Sequence, residues 1–199
     1  TTLFRSMFSI NGAAFQPTGD FTGLSAGAYM FEVMDGNGCI SDTTISITEP
    51  LPFTAVIDGS DNVTCYGGTD GAIYATLEGG TQPWLITWTG PDGYTATTAT
   101  VTGLTAGTYT LTVNDLNGCA EYSFIEVVTQ PDAIEITGVT LSDYGGFGVN
   151  CAESADGSIA VTVQGGTPPL TIAWTGPDGF TSDQLSLTAL RAGLYTLVV

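Results

Sequence analysis

Apolar residues alternate with polar ones in short runs along nearly the whole chain, the two-residue period of strands with one face buried. Tyr109, Leu111 and Val113 fall on one face of such a strand; Ile73, Ala75 and Leu77 mark a second, and Trp84, Ile86 and Trp88 a third. Between the runs stand turn-forming clusters: Gly79-Gly80-Thr81-Gln82-Pro83, Pro91-Asp92-Gly93 and Asn117-Gly118. Phe53 to Ile57 reads as a first strand, followed by a Gly/Asp/Asn-rich loop from Asp58 to Gly71 that holds Cys65. Tyr94 to Val101 supplies one or two Thr-rich edge strands, and Tyr109 to Asn114 with Tyr122 to Val128 forms the last pair. About seven short strands without helical periodicity predict an all-β, immunoglobulin-like sandwich over residues 51–131.

The pattern repeats. The run from Leu104 through Tyr109 to Cys119 has a near copy from Leu24 to Cys39, and a third copy begins at Leu190. The offset is 80 residues from Cys39 to Cys119, and 86 from Cys65 to Cys151, from Trp88 to Trp174 and from Leu104 to Leu190. The chain therefore divides into the C-terminal part of one repeat (1–50), a complete repeat (51–131) and the N-terminal part of a third (132–199). We expect tandem sandwiches of about 80–86 residues, cut from a longer array whose export signal, if any, lies outside this piece. In the first repeat Phe4 to Ile10 is expected as a strand, Asn11-Gly12 as a turn and Phe15 to Phe21 as an edge segment. Glu49-Pro50 and Gln130-Pro131 mark short junctions rather than flexible linkers. The change of offset from 80 to 86 falls between Cys119 and Cys151, and is expected in the junction region.

Charge narrows the function. Two Arg, no Lys and 20 carboxylates give a net charge of -18, which repels phosphate backbones and anionic lipid surfaces, so nucleic acid is excluded as a partner. His is absent, which removes the commonest general base and a leading zinc ligand. No apolar run reaches the length of a membrane helix, so direct membrane insertion is not expected. Glu78, Glu121 and Glu126 follow no repeat-to-repeat pattern, and tandem copies of a motif argue against a single active site; an enzyme is not expected.

Several residues stand out against their bland alternatives. A Tyr just after a Leu-x-Ala-Gly corner, at Tyr29, Tyr109 and Tyr195, matches the tyrosine corner of immunoglobulin-like sandwiches, whose hydroxyl ties back to upstream backbone. Trp88 and Trp174 sit mid-strand where sandwiches bury a core Trp, whereas Trp84, beside a turn, is expected to be the more exposed. Asp-Gly pairs are good turn chemistry, yet Asp58, Asp61 and Asp70 also form a candidate Ca²⁺ cluster; no other cofactor is indicated. Asp42-Thr43-Thr44 resembles a bacterial O-glycosylation signal at Thr43, weighed against a plain exposed strand terminus.

Cysteines at matched positions favour disulfides and an oxidising, extracellular location. Cys39 with Cys65, and Cys119 with Cys151, are excluded because roughly two strand lengths separate each pair. Two pairings remain. Simple immunoglobulin order puts loop and hairpin at opposite ends, which favours joining each loop cysteine to the hairpin cysteine of the following repeat. The spare length of the loop after Asp58 would let Cys65 climb the sheet edge, and we expect Cys65–Cys119, with Cys39 and Cys151 partnered outside the chain.

Five motifs in order, Cys65-Tyr-Gly-Gly-Thr-Asp-Gly-Ala-Ile, Gly79-Gly-Thr-Gln-Pro, Trp88-Thr-Gly-Pro-Asp-Gly-Tyr, Leu104-Thr-Ala-Gly-Thr-Tyr and Val113-Asn-Asp-Leu-Asn-Gly-Cys119, together resemble the SprB-type repeat of surface adhesins from gliding Bacteroidota. The first repeat, with Phe8-Ser-Ile-Asn-Gly before Leu24-Ser-Ala-Gly-Ala-Tyr, is similar to the other common variant; Trp84 and Leu170 depart from the usual Tyr after Pro. The resemblance implies very large cell-surface proteins exported by the type 9 system and acting as adhesins, stalks or gliding filaments. Their partners would be neighbouring repeats and a surface polysaccharide or other adhesion substrate. The alternative is an array of carbohydrate-binding modules, which would show an exposed aromatic strip recurring on one face.

Overall fold

The computed structural model describes residues 6–199, and these fold into strands joined by turns, with two single-turn 3₁₀ segments at Pro91–Gly93 and Pro177–Gly179. Phe4 and Arg5 of the first expected strand lie outside the described residues. The complete repeat has seven strands: β4 (Thr54–Asp61), β5 (Gly71–Glu78), β6 (Leu85–Thr89), β7 (Thr95–Ala96), β8 (Val101–Leu104), β9 (Gly107–Asn114) and β10 (Glu121–Val128). They form two antiparallel sheets, ordered β4-β5-β8 and β10-β9-β6-β7. The short fourth strand, β7, pairs with β6, so it belongs to the sheet of the last hairpin rather than to that of β5, where constant-type immunoglobulin domains place it.

The core forms between the sheets from the residues that alternate inward. Trp88, Tyr109, Leu111 and Val113 come from one side, and Ala55, Ile73, Ala75, Leu77 and Val101 from the other. The ladder carries this alternation across strands, since Ile86 pairs with Val113 and Trp88 with Leu111. Trp88 is fully buried and its indole N–H donates to the Thr98 carbonyl at 2.9 Å; Trp174 is buried likewise and donates to Gln184 at 2.9 Å. Trp84 is the most open of the three tryptophans, as expected, yet still half-buried. It lies just before β6, donates from Nε1 to the Gly79 carbonyl at 3.1 Å, and packs on Phe53 with ring centroids 6.3 Å apart.

The partial repeats follow the same plan. In the third, β11 (Glu135–Leu141), β12 (Gly157–Gln164) and β15 (Ser186–Leu190) make one sheet, and β14 (Thr181–Ser182), β13 (Ala173–Thr175) and β16 (Thr196–Val198) the other. In the first, β1 (Met7–Ile10), β2 (Gly27–Met34) and β3 (Ile40–Ile47) form one sheet, with Ile10 opposite Phe31 where Trp88 stands opposite Leu111. The segment Phe15 to Phe21, expected along the edge, meets edge strand β1 through a single bridge, Gln16 to Phe8.

Two expectations are corrected by the ladders. The first strand of the complete repeat does not stop at Ile57: β4 runs on to Asp61 through a bulge between Ile57 and Gly59, so Asp58 and Asp61 belong to a strand, not to the loop. The extra residues of the third repeat are not in the junction either. Gly80 donates to the Leu51 carbonyl and Gly166 to that of Asp132, acceptors 81 residues apart, so five of the six residues lie in the longer loop between β11 and Cys151; the sixth lies in the hairpin from Asn114 to Glu121, one residue longer than that from Met34 to Ile40.

Candidate functional site

The sequence motifs converge on two places, and the first is the tyrosine corner. Tyr29, Tyr109 and Tyr195 donate their hydroxyls to the carbonyls of Ser25, Thr105 and Arg191 at 2.9, 3.0 and 3.1 Å. Each bond closes the turn that feeds its strand. The Gly-Pro-Asp-Gly turn seats against this corner: Tyr94 meets Tyr109 edge-on at 5.4 Å, and Phe180 meets Tyr195 at 5.3 Å. A Cβ on Gly107 or Gly193 would run into the Pro91 or Pro177 ring, so the Leu-x-Ala-Gly glycine is needed for space. This corner is structural. The tyrosine hydroxyl is spent on backbone.

The second place is the junction between repeats. Antiparallel strands carry the chain back and forth between two ends of the sandwich. At the end nearer the third repeat, the Cys65 loop is tied to the outgoing junction: Val63 N–H donates to Thr129 O at 2.9 Å, Thr129 N–H to Asn62 Oδ1 at 2.7 Å, and Gly67 N–H to Gln130 Oε1 at 2.8 Å. Asp70 fastens the loop from within, accepting from Thr64 Oγ1 at 2.5 Å and from Thr64 N–H at 3.1 Å. Those bonds hold its carboxyl below the usual carboxylate range, the Thr64 hydroxyl being the larger cause. Asp156 is lowered in the same way by Ser154 and then by the Asn150 N–H. The third repeat reaches back, with Thr167 Oγ1 donating to the Thr64 carbonyl at 3.4 Å.

At the opposite end lies the hairpin that carries Cys119, organised by a residue the sequence reading passed over. Asp115 is buried, accepts from Cys119 N–H at 2.7 Å through one oxygen and from Thr81 N–H at 3.2 Å through the other. Asp35 does the same for Cys39 at 2.8 Å in the first repeat. The signal was an Asp four residues before each hairpin cysteine, where an Asx turn can form.

The expected disulfide Cys65–Cys119 is therefore corrected. Cys65 follows β4 at one end and Cys119 follows β9 at the other, with eight-residue strands of about 26 Å between the ends, far beyond disulfide reach. The loop has no spare length for Cys65 to climb, because β4 uses Asp58 to Asp61. All four cysteines are free and exposed.

The candidate Ca²⁺ ligands are not brought together. Asp58 accepts from Thr76 Oγ1 at 2.6 Å and Asp61 from the Tyr74 hydroxyl at 2.6 Å, both across the β4–β5 ladder, while Asp70 serves the loop. Asp61 also raises the pKa of the Tyr74 hydroxyl, which donates to it. Among the described residues no three acidic, Cys or His side chains are placed to share a metal ion. Thr43 is exposed, in the middle of β3 opposite Phe31 rather than at a strand terminus. No helix among the described residues is long and apolar enough to cross a membrane.

Comparison with curated proteins returns no match. Comparison with protein families matches residues 59–93, from the end of β4 through the Gly-Pro-Asp-Gly turn, and residues 149–179, from the cysteine loop through the same turn of the third repeat. Both segments match the SprB repeat family.

Proposed function

We propose that this chain is a spacer segment of a long extracellular bacterial surface protein, a stalk or gliding adhesin filament in which each repeat's main partner is the next repeat. The docked junction carries this reading. Gln130, the residue before the junction proline, is bonded back into the Cys65 loop, and Thr167 of the next repeat touches that loop, so the link between sandwiches is held at both sides. A tethered junction limits bending and passes load from one sandwich to the next. The alternative of a carbohydrate-binding array finds no recurring aromatic platform among the described residues: Trp88 and Trp174 are buried, and exposed Tyr66 and Tyr74 correspond to Ala152 and Ala160 in the third repeat.

Small-angle scattering of the chain tests this reading. An extended particle with a narrow distance distribution is expected, and Gln130→Ala should broaden that distribution without lowering the melting temperature of the central sandwich. A wild-type chain already as broad as the variant, or retention of the chain on a panel of immobilised glycans, would overturn it.

A further inference from the structure

We propose that successive repeats are covalently stapled, the loop cysteine of one repeat pairing with the hairpin cysteine of the next. Two grooves carry the argument. One, of about 340 Å³, lies at the start of the complete repeat and is lined by Pro50, Phe53, Gly80 and the hairpin cysteine, Cys119. The other, of about 460 Å³, lies at the start of the third repeat and is lined by Pro131, Ile134, Gly166 and the loop cysteine of the preceding repeat, Cys65.

They are the same groove in successive repeats. Gly80 donates to the Leu51 carbonyl as Gly166 does to that of Asp132, and a Cβ on Gly80 would strike Phe53 where one on Gly166 would strike Ile134. One copy shows the hairpin cysteine on its wall and the other the loop cysteine.

A single threonine position touches both cysteine-bearing segments. Thr81 accepts at Oγ1 from Asn117 Nδ2 at 3.0 Å, two residues before Cys119, and its carbonyl accepts from Leu116 N–H at 2.9 Å. Thr167, its counterpart, donates from Oγ1 to the Thr64 carbonyl at 3.4 Å, one residue before Cys65. A repeat that follows in this register therefore presents its hairpin cysteine to the groove that already holds Cys65. Cys119 faces the loop cysteine of the repeat before it in the same way. The 199 residues hold no hairpin cysteine after Val199 and no loop cysteine before Cys39, so each groove here displays one half of the pair.

The chemistry is thiol–disulfide exchange. The two thiols lose two protons and two electrons as the S–S bond forms, and a disulfide oxidant of the exchange-catalyst or glutathione class is reduced to thiols.

The test extends the chain past Val199 with a second copy of residues 114–130, which supplies the third repeat with its hairpin. After refolding with oxidised glutathione and cleavage at acidic residues without reductant, Cys65 should be recovered joined to the cysteine of the added hairpin. Recovery of Cys65 joined to Cys119, or as a free thiol in a folded monomer, would overturn the proposal. A second arm needs no extension: Thr167→Cys in the 199-residue chain should crosslink to Cys65 and not to Cys119 or Cys151 under the same oxidation. Absence of that crosslink would show that the loop does not seat on the next repeat, and would overturn the proposal even if the extended chain failed to fold. Both arms are independent of adhesion, so they stand or fall apart from the stalk reading.

Discussion

The ring of Tyr109 lies so close to the backbone of Gly90 that a Cβ on that glycine would stand 2.5 Å from it, and Tyr195 stands in the same relation to Gly176 at 2.7 Å. The Gly-Pro-Asp-Gly turn and the tyrosine corner are thus one packed unit. Gly90→Ala should lower stability by about 1–3 kcal/mol through overpacking. Gly59→Ala meets nothing within 4 Å and should be near neutral. Urea midpoints of the two variants check this; equal midpoints would contradict it.

Tyr109 combines burial with a backbone tie. Tyr109→Phe, which removes only the donation to Thr105, should cost about 1 kcal/mol. Tyr109→Ala should cost about 3–5 kcal/mol. Its strand neighbour Thr110 is only half-buried, and Thr110→Ala should stay within about 0.5 kcal/mol. Matching thermal transitions for Tyr109→Ala and Thr110→Ala would refute the inward facing of Tyr109.

Asp115 satisfies two N–H groups at the junction-facing hairpin. Asp115→Ala strands both donors and should destabilise by about 1–3 kcal/mol. Amide hydrogen exchange locates the effect: Cys119 and Thr81 should lose protection first, while Trp88 and Leu111 in the core ladder should follow only the global change.

The lowered carboxyls of Asp70 and Asp156 give the cysteine loops an acid limit. A carboxyl with a folded pKa below its unfolded value contributes stability above the unfolded value, about 4, and loses it as pH falls through the folded one. The loops should therefore loosen only on acidification below about pH 4, with no change between neutral pH and pH 5. Thr64→Val should raise the Asp70 pKa and leave that of Asp156 in place. Carboxyl chemical shifts followed through an acid titration read both; an unchanged Asp70 would rule out the Thr64 clasp.

Much of the architecture was written in local pattern. The two-residue alternation at Tyr109, Leu111 and Val113 marks the buried face whatever the strand pairs with, because pleating alone sends successive side chains to opposite sides. The repeated Leu-x-Ala-Gly-x-Tyr places three hydroxyls beside backbone four residues upstream, a contact made within one turn. The mid-strand position of Trp88 and Trp174 likewise indicated burial before any partner was known.

What only the tertiary structure decided is where strands end and which loops share an end. β4 continues past Asp58-Gly59, a pair with strong turn chemistry, because its ladder with β5 is completed across a bulge; hydrogen bonds to a partner strand overrule the local preference. That one extension removes Asp58 and Asp61 from the loop and denies Cys65 the slack to approach Cys119. Trp84 is drawn against Phe53 by a surface that forms only when the chain ends of several strands meet. Each full-length strand carries the chain to the other end of the sandwich, so the side on which a cysteine falls depends on the number of such crossings. The sequence marked β7 and β8 as one or two strands and left that number open; the folded sheets place Cys65 and Cys119 a strand length apart, Cys65 against the start of the third repeat and Cys119 beside the junction that precedes β4.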